Sequence, residues 1–215
     1  MMDHDERPQS LGEEIANSVS HGVALLAAAA AVPVLVMASA HHGTALNVAA
    51  ASVFAATMVL LYAASALYHA IPHAATKRLF RKLDHGAIFL FIAGSYTPFA
   101  LGALVGPWGW TLLGLIWALA AIGVTLKALD RMRHPVVSTG LYLAMGWLAV
   151  VAVKPLLQAV PMPGVALLTV GGMAYTIGVV FFMLDSKLRY AHFVWHLFVV
   201  AGTACHFFAV LHYAI

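Results

Sequence analysis

Charge is the first thing this sequence is short of. Asp, Glu, Lys and Arg make up 9% of its 215 residues, against 63% apolar. A soluble globular domain carries about a quarter charged residues, because its surface faces water. Eight acidic and eleven basic side chains cannot solvate a chain of this length. So thin a supply excludes a soluble enzyme, a disordered chain and a nucleic-acid binder. Cysteine is nearly absent too: Cys205 stands alone, which excludes an intramolecular disulfide framework and a zinc site built on thiolates. Against these shortages stand twelve histidines, an odd excess in so apolar a chain.

The gaps between charges set the topology. No Asp, Glu, Lys or Arg occurs in residues 15–76, 85–126, 134–153, 155–184 or 190–215. A membrane-spanning helix needs about 20 apolar residues, so the two longest gaps hold two helices each and the others one each. Polar, Gly-containing His41-His42-Gly43-Thr44 divides the first gap, and Gly106-Pro107-Trp108-Gly109-Trp110 divides the second. The expected fold is all-α: a polytopic membrane protein with a seven-transmembrane-helix bundle. The spans fall at about 18–39, 45–70, 84–104, 109–128, 136–156, 164–184 and 190–213. Residues 1–12 read as a loose cytoplasmic tail and 13–215 as one membrane domain.

With seven spans, ten basic residues (Arg7, Lys77, Arg78, Arg81, Lys82, Lys127, Arg131, Arg133, Lys187 and Arg189) fall on the side of the N-terminus and only Lys154 on the other. The positive-inside rule then makes the N-terminus cytoplasmic and the C-terminus external. The first twenty residues carry five acids and one Arg, the wrong sign for a signal peptide, so helix 1 reads as a retained span. The expected location is the cell inner (plasma) membrane, with the lipid bilayer as principal partner. Protein partners are not legible.

Ionisable residues inside a membrane are functional candidates by default. Ser65 and His69 near the end of helix 2, Asp84 at the start of helix 3, and His192 and His196 in the first turns of helix 7 fall in one layer. Ser65/His69 and His192/His196 are i,i+4 pairs, so each pair shares a helix face. Two histidines so spaced can ligate one zinc ion, and a third from a neighbouring helix leaves the fourth position open, as in catalytic sites. Asp84 could act on the bound water as general base, with Ser65 as a supporting or oxyanion partner. Bland alternatives stay open. The imidazoles could simply cross-link helices, Asp84 could pair with Arg81 or Lys82, and Ser65 could bond back to its own helix.

The other histidines rank lower. His41, His42 and His134 are in solvated positions, and His73 and His85 border the layer off the paired spacing. His206 and His212 are about 15 and 24 Å along the axis from His196, too far to share its ion. Glu13, Asn17 and His21 recur every four residues, a polar stripe that could cap the bundle or line an entrance.

Four segments carry a family resemblance: Ser65-Ala-Leu-Tyr-His69, Lys82-Leu-Asp84-His-Gly-Ala-Ile, Gly94-Ser-Tyr-Thr-Pro98 and His192-Phe-Val-Trp-His196. With Glu13-Glu14-Ile-Ala-Asn17-Ser-Val-Ser-His21-Gly, they resemble the hemolysin III family, the bacterial branch of the progestin and adipoQ receptors that include the adiponectin receptors. The resemblance runs from about residue 12 to the C-terminus. It implies a seven-helix bundle with a cytoplasmic N-terminus, zinc (Zn2+) bound by His69, His192 and His196, Asp84 on the zinc-bound water, and Ser65 nearby. Adiponectin receptors and alkaline ceramidases share this pattern, which implies hydrolysis of a lipid amide or ester. The bacterial name implies instead cytolysis or membrane homeostasis, with zinc only structural. A third reading, a proton or metal carrier, has to cross the gap in depth between the site layer and His206. The long N-terminal segment of the animal receptors is lacking here, so their signalling partners are not carried over.

Overall fold

Local sequence signals start and stop each helix. In the computed structural model, which describes residues 7–132 and 134–215, Ser10 and Glu13 close a capping box that starts α1 (Leu11–His42). Gly43 ends it, and Thr44 with Asn47 forms a second capping box that opens α2 (Ala45–Ala70). His73 caps the start of α3 (Ala74–Ala103). Gly106 adopts φ +107°, a left-handed value that suits a residue without Cβ, and Pro107 then opens α4 (Pro107–Ala128). The remaining helices are α5 (Pro135–Ala159), α6 (Met162–Met183) and α7 (Ala191–Tyr213). All seven are long and apolar enough to cross a membrane, and the described residues contain no strand. Residues 1–6 of the expected tail, and Arg133 of the charge tally, lie outside the described residues.

Two helices start earlier than the charge pattern suggests. α1 begins at Leu11 rather than near 18, and α3 at Ala74 rather than 84. Charges mark where water begins, whereas a helix continues until its hydrogen-bond ladder is capped. The first turns of α3 therefore carry Lys77, Arg78, Arg81 and Lys82, and Asp84 sits inside a continuous helix instead of at its start.

The helices pack as two walls around a cavity. Leu35, Phe54, Met58, Tyr62, Phe91 and Val210 fill the core of α1, α2, α3 and α7. Phe89, Ile116 and Met145 join α3, α4 and α5. The only buried residues of α6 are Gly164, Gly171 and Gly178, seven apart. Their missing side chains admit Tyr213, His206 and Trp195 of α7, the close approach that small residues allow between membrane helices. Outward-facing Leu26, Val105, Trp110, Ile122 and Val151 are more than half exposed, a surface suited to hydrocarbon and not to water.

α5 is interrupted: its ladder tightens over Trp147–Ala152 before helix resumes at Val153. In a membrane every backbone group must find a protein partner. Tyr96, from the Gly94–Pro98 segment of α3, provides one. Its hydroxyl donates to the carbonyls of Met145 and Gly146 at 2.9 Å each and accepts from the Ala149 N–H at 2.8 Å.

Candidate metal centre

The last turn of α2 and the first two turns of α7 meet at the end of the bundle that carries the N-terminus. His69, His192 and His196 are brought together there, each offering one ring nitrogen, all within 4.8 Å of one another. Their rings pack edge to face, with centroids 4.8 to 5.1 Å apart. Zinc–nitrogen bonds of about 2.0–2.1 Å ask the more widely spaced of these atoms to draw in.

The bonds behind the rings are the informative part. His69 donates from Nδ1 to Glu14 Oε2 at 2.8 Å, and His192 from Nδ1 to Asp185 Oδ2 at 3.0 Å. His196 Nδ1 faces the Asn17 carbonyl and Ser20 Oγ, both at 3.2 Å. Ser20 spends its own proton on the Asn17 carbonyl, so all of these partners act as acceptors. Each Nδ1 must therefore carry the proton, which leaves each Nε2 with a bare lone pair. That is the tautomer a metal needs, and carboxylates behind the histidines are its usual outer support. His69 Nε2 is buried with no hydrogen-bond partner. The donor set suits zinc on these grounds.

Ser65, one turn before His69 on α2, does not bond back to its own helix. Its Oγ lies 2.7 Å from His21 Nδ1. The His21 ring stacks on His196, centroids 3.5 Å apart and planes within 7°. Asp84 is 7% exposed. It does not pair with Lys82, which bonds Asp130 instead. Ser65, Asp84, His192 and His196 all line one cavity of about 270 Å³, whose further walls are apolar side chains such as Phe91, Leu112, Trp147 and Val179. The arrangement combines three imidazoles with bare nitrogens, one carboxyl, one hydroxyl and an apolar chamber.

Of the Glu13–Asn17–His21 stripe, His21 lines the cavity, whereas Glu13 ties chain segments together at the end of the bundle. Glu13 takes both arms of the Arg7 guanidinium (2.6 and 2.9 Å) and the N–H of Tyr190 at 2.9 Å. It thereby ties the N-terminal segment to the residue that opens α7, held at φ 61°. Its hydrogen bond raises the Arg7 guanidinium above the ordinary value. Sequence reasoning missed Glu14, Ser20 and Asp185 as supports of the histidines. Glu14 also pairs with Lys77 at 2.9 Å. A clue was available for Glu14 alone, an acid beside a stripe already known to face inward. His85 lines the cavity, and His73 caps α3.

The family model described as "Haemolysin-III related" matches residues 9–207. The chain is 45% identical over 207 residues to Hemolysin-3 of Bacillus cereus, covering 96% of this chain and 94% of that protein. It is 41% identical over 206 residues to the Hemolysin-3 homolog of Bacillus subtilis (strain 168), covering 96% of each. A human protein, monocyte to macrophage differentiation factor, is 32% identical over 158 residues, 71% of this chain and 65% of its own length.

Proposed function

The chain belongs to the haemolysin-III-related family, and on that premise we propose that it is a multi-pass zinc protein of the inner (plasma) membrane that hydrolyses a lipid amide or ester. The observation that carries this reading is the set of three Nδ1 hydrogen bonds, which leave three bare Nε2 atoms beside an apolar cavity that His192 and His196 line. His69, His192 and His196 would hold the ion. When bound, zinc supplies Lewis acidity, lowering the pKa of coordinated water and polarising a carbonyl oxygen.

The rest of the chemistry belongs to the chain. Asp84 accepts a proton from the attacking water and passes it to the departing nitrogen or oxygen, a role that requires it to face the cavity. Ser65 is oriented by His21 and offers its hydroxyl to the charge that develops on the carbonyl oxygen. The apolar walls take the hydrocarbon chain and exclude bulk water. The N-terminus is assigned to the cytoplasm by the basic residues of alternate loops, which puts the site near the cytoplasmic face. Reporters fused after Ile215 and inserted near Arg131 should then read as outside and cytoplasmic; the same side for both overturns the assignment.

The name of the Bacillus relatives favours a second reading, in which the protein is cytolytic or serves membrane homeostasis and zinc only braces α2 and α7. Asp84→Asn separates the two. If Asp84 is the base, the variant keeps zinc and loses lipid-amide turnover, because an amide can bond water but cannot take its proton. Full turnover by the variant ends the general-base role, and no turnover of any lipid amide or ester by the parent chain favours the second reading.

A further inference from the structure

His206 is absorbed by none of this. It lies ten residues past His196 on α7, about 15 Å along the axis. It shares the inward stripe of Val199, Gly202, Thr203 and Val210, all buried, and lines the same cavity. Its ring is seated against Gly171 of α6, where a Cβ would come within 2.5 Å of Nδ1. The reciprocal holds across the interface: a Cβ on Gly202 would come within 2.5 Å of the Tyr175 ring. Both polar rings are therefore held in place by the absence of a side chain opposite.

The ring's hydrogen bonds are half satisfied. Nδ1 donates to the Gly202 carbonyl at 2.8 Å, so Nε2 is a bare acceptor, and no described residue bonds it. Neighbouring polar groups are already engaged. The Tyr175 and Thr203 hydroxyls meet at 3.1 Å, and Thr203 donates to the Val199 carbonyl at 2.9 Å. A phenyl ring would fill the same space without an acceptor, as Tyr213 and Trp195 pack over the other two glycines of α6. An open acceptor in apolar surroundings is disfavoured unless something completes it.

We propose that His206 is a second polar subsite of the cavity, which accepts a hydrogen bond from a hydroxyl carried on the ligand's hydrocarbon chain. The ligand class is a single-chain lipid amide or ester, hydroxylated about 15 Å from its carbonyl. The proposal rests on reading the cavity as a lipid site. It adds a chemical preference that an apolar chamber alone would not have, because a site built to bond a hydroxyl discriminates against the analogue that lacks it.

The test is binding and needs no turnover. Stearamide and a series of monohydroxystearamides, with the hydroxyl moved along the chain, are titrated into the full-length protein in nanodiscs. Quenching of intrinsic tryptophan fluorescence reports occupancy, since Trp147 and Trp195 line the cavity. One hydroxyl position should bind about tenfold more tightly than stearamide, the size of one net hydrogen bond. His206→Phe should erase that preference, so that the favoured hydroxystearamide and stearamide bind the variant alike, while His206→Gln, which keeps an acceptor, should retain part of it. Equal binding of all chains to the parent protein overturns the subsite and leaves the lipid cavity standing, as expected if only water completes Nε2. A preference that survives in His206→Phe also overturns it. No binding of any chain overturns the lipid cavity and the subsite together.

Discussion

The two walls of the bundle are built from different chemistry. Of the thirteen buried polar or charged residues described, eleven lie on α1, α2, α3 and α7. The other two, Ser138 and Thr139, are at the start of α5, and α4 and α6 have none. One wall is thus a cross-linked polar scaffold in which α1 offers no member of the histidine trio but supports two of them, through Glu14 and through Asn17 with Ser20. The other wall, α4 to α6, is apolar and glycine-rich, and α5 within it is broken. The contrast teaches that chemistry and shape have been assigned to separate helices. A polar group inside a membrane costs little only where several partners are within reach, so such groups accumulate where some already exist. The apolar wall is left free to vary in contour.

The largest effect on this contrast should come from removing a member of the trio. His196→Ala deletes one imidazole, the ring on which His21 stacks, and the acceptors behind it lose their donor. Zinc content measured on the purified variant should fall to background, with a clear loss of thermal stability, because metal binding to a site joining two helices is folding energy. Retention of stoichiometric zinc by this variant would remove the metal from the polar wall altogether.

Next in size is the outer support. Glu14→Gln keeps the shape but exchanges a charged acceptor for a neutral one, and the amide can turn its NH2 toward His69. Zinc affinity, read by competition with a chelator, should weaken about 10- to 100-fold, the usual cost of losing an outer partner. Asp185→Asn should act in the same direction through His192. No change in either variant would mean that α1 and the α6–α7 loop are packing elements only.

The sequence disclosed the two walls unequally. Seven helices were legible because charge-free runs measure membrane thickness, and the trio was legible because i,i+4 spacing puts two residues on one face whatever the tertiary fold. Helix ends were not, as α3 shows: its first turns are charged, solvated and still helical. Glu14, Asp185 and Ser20 were hidden because a partner on another helix stands at no fixed spacing. His21 was noticed only as part of a stripe, since neither Ser65 nor His196 is near it in the chain. The break in α5 was hidden because the hydroxyl that stabilises it comes from Tyr96, some fifty residues away.

That hydroxyl is where the two walls depend on each other, so Tyr96→Phe tests how tightly they are coupled. The phenyl ring keeps its packing, but two carbonyls and the Ala149 N–H lose a partner where water is scarce. Stability in reversible unfolding from mixed micelles should fall by about 1–3 kcal/mol, the usual cost of stranding buried polar groups. Zinc content should be unchanged, since no member of the trio is touched. If zinc is lost as well, the walls are coupled more tightly than their buried residues indicate.

The smallest expected effect is at the rim. Lys82 bonds Asp130 at 2.5 Å between the start of α3 and the end of α4, with side chains 38% and 55% exposed. An ion pair so open to solvent is screened and contributes about 0–1 kcal/mol. Lys82→Ala should therefore leave stability within that range and zinc affinity unaltered. Lys77, five residues earlier on α3, makes an ion pair of similar length with Glu14, but its partner carboxylate also holds His69. Lys77→Ala removes a competitor for that carboxylate and should shift zinc affinity measurably while Lys82→Ala does not. Equal behaviour of the two variants would show that the polar wall ends at the trio and does not extend through Glu14 to the surface.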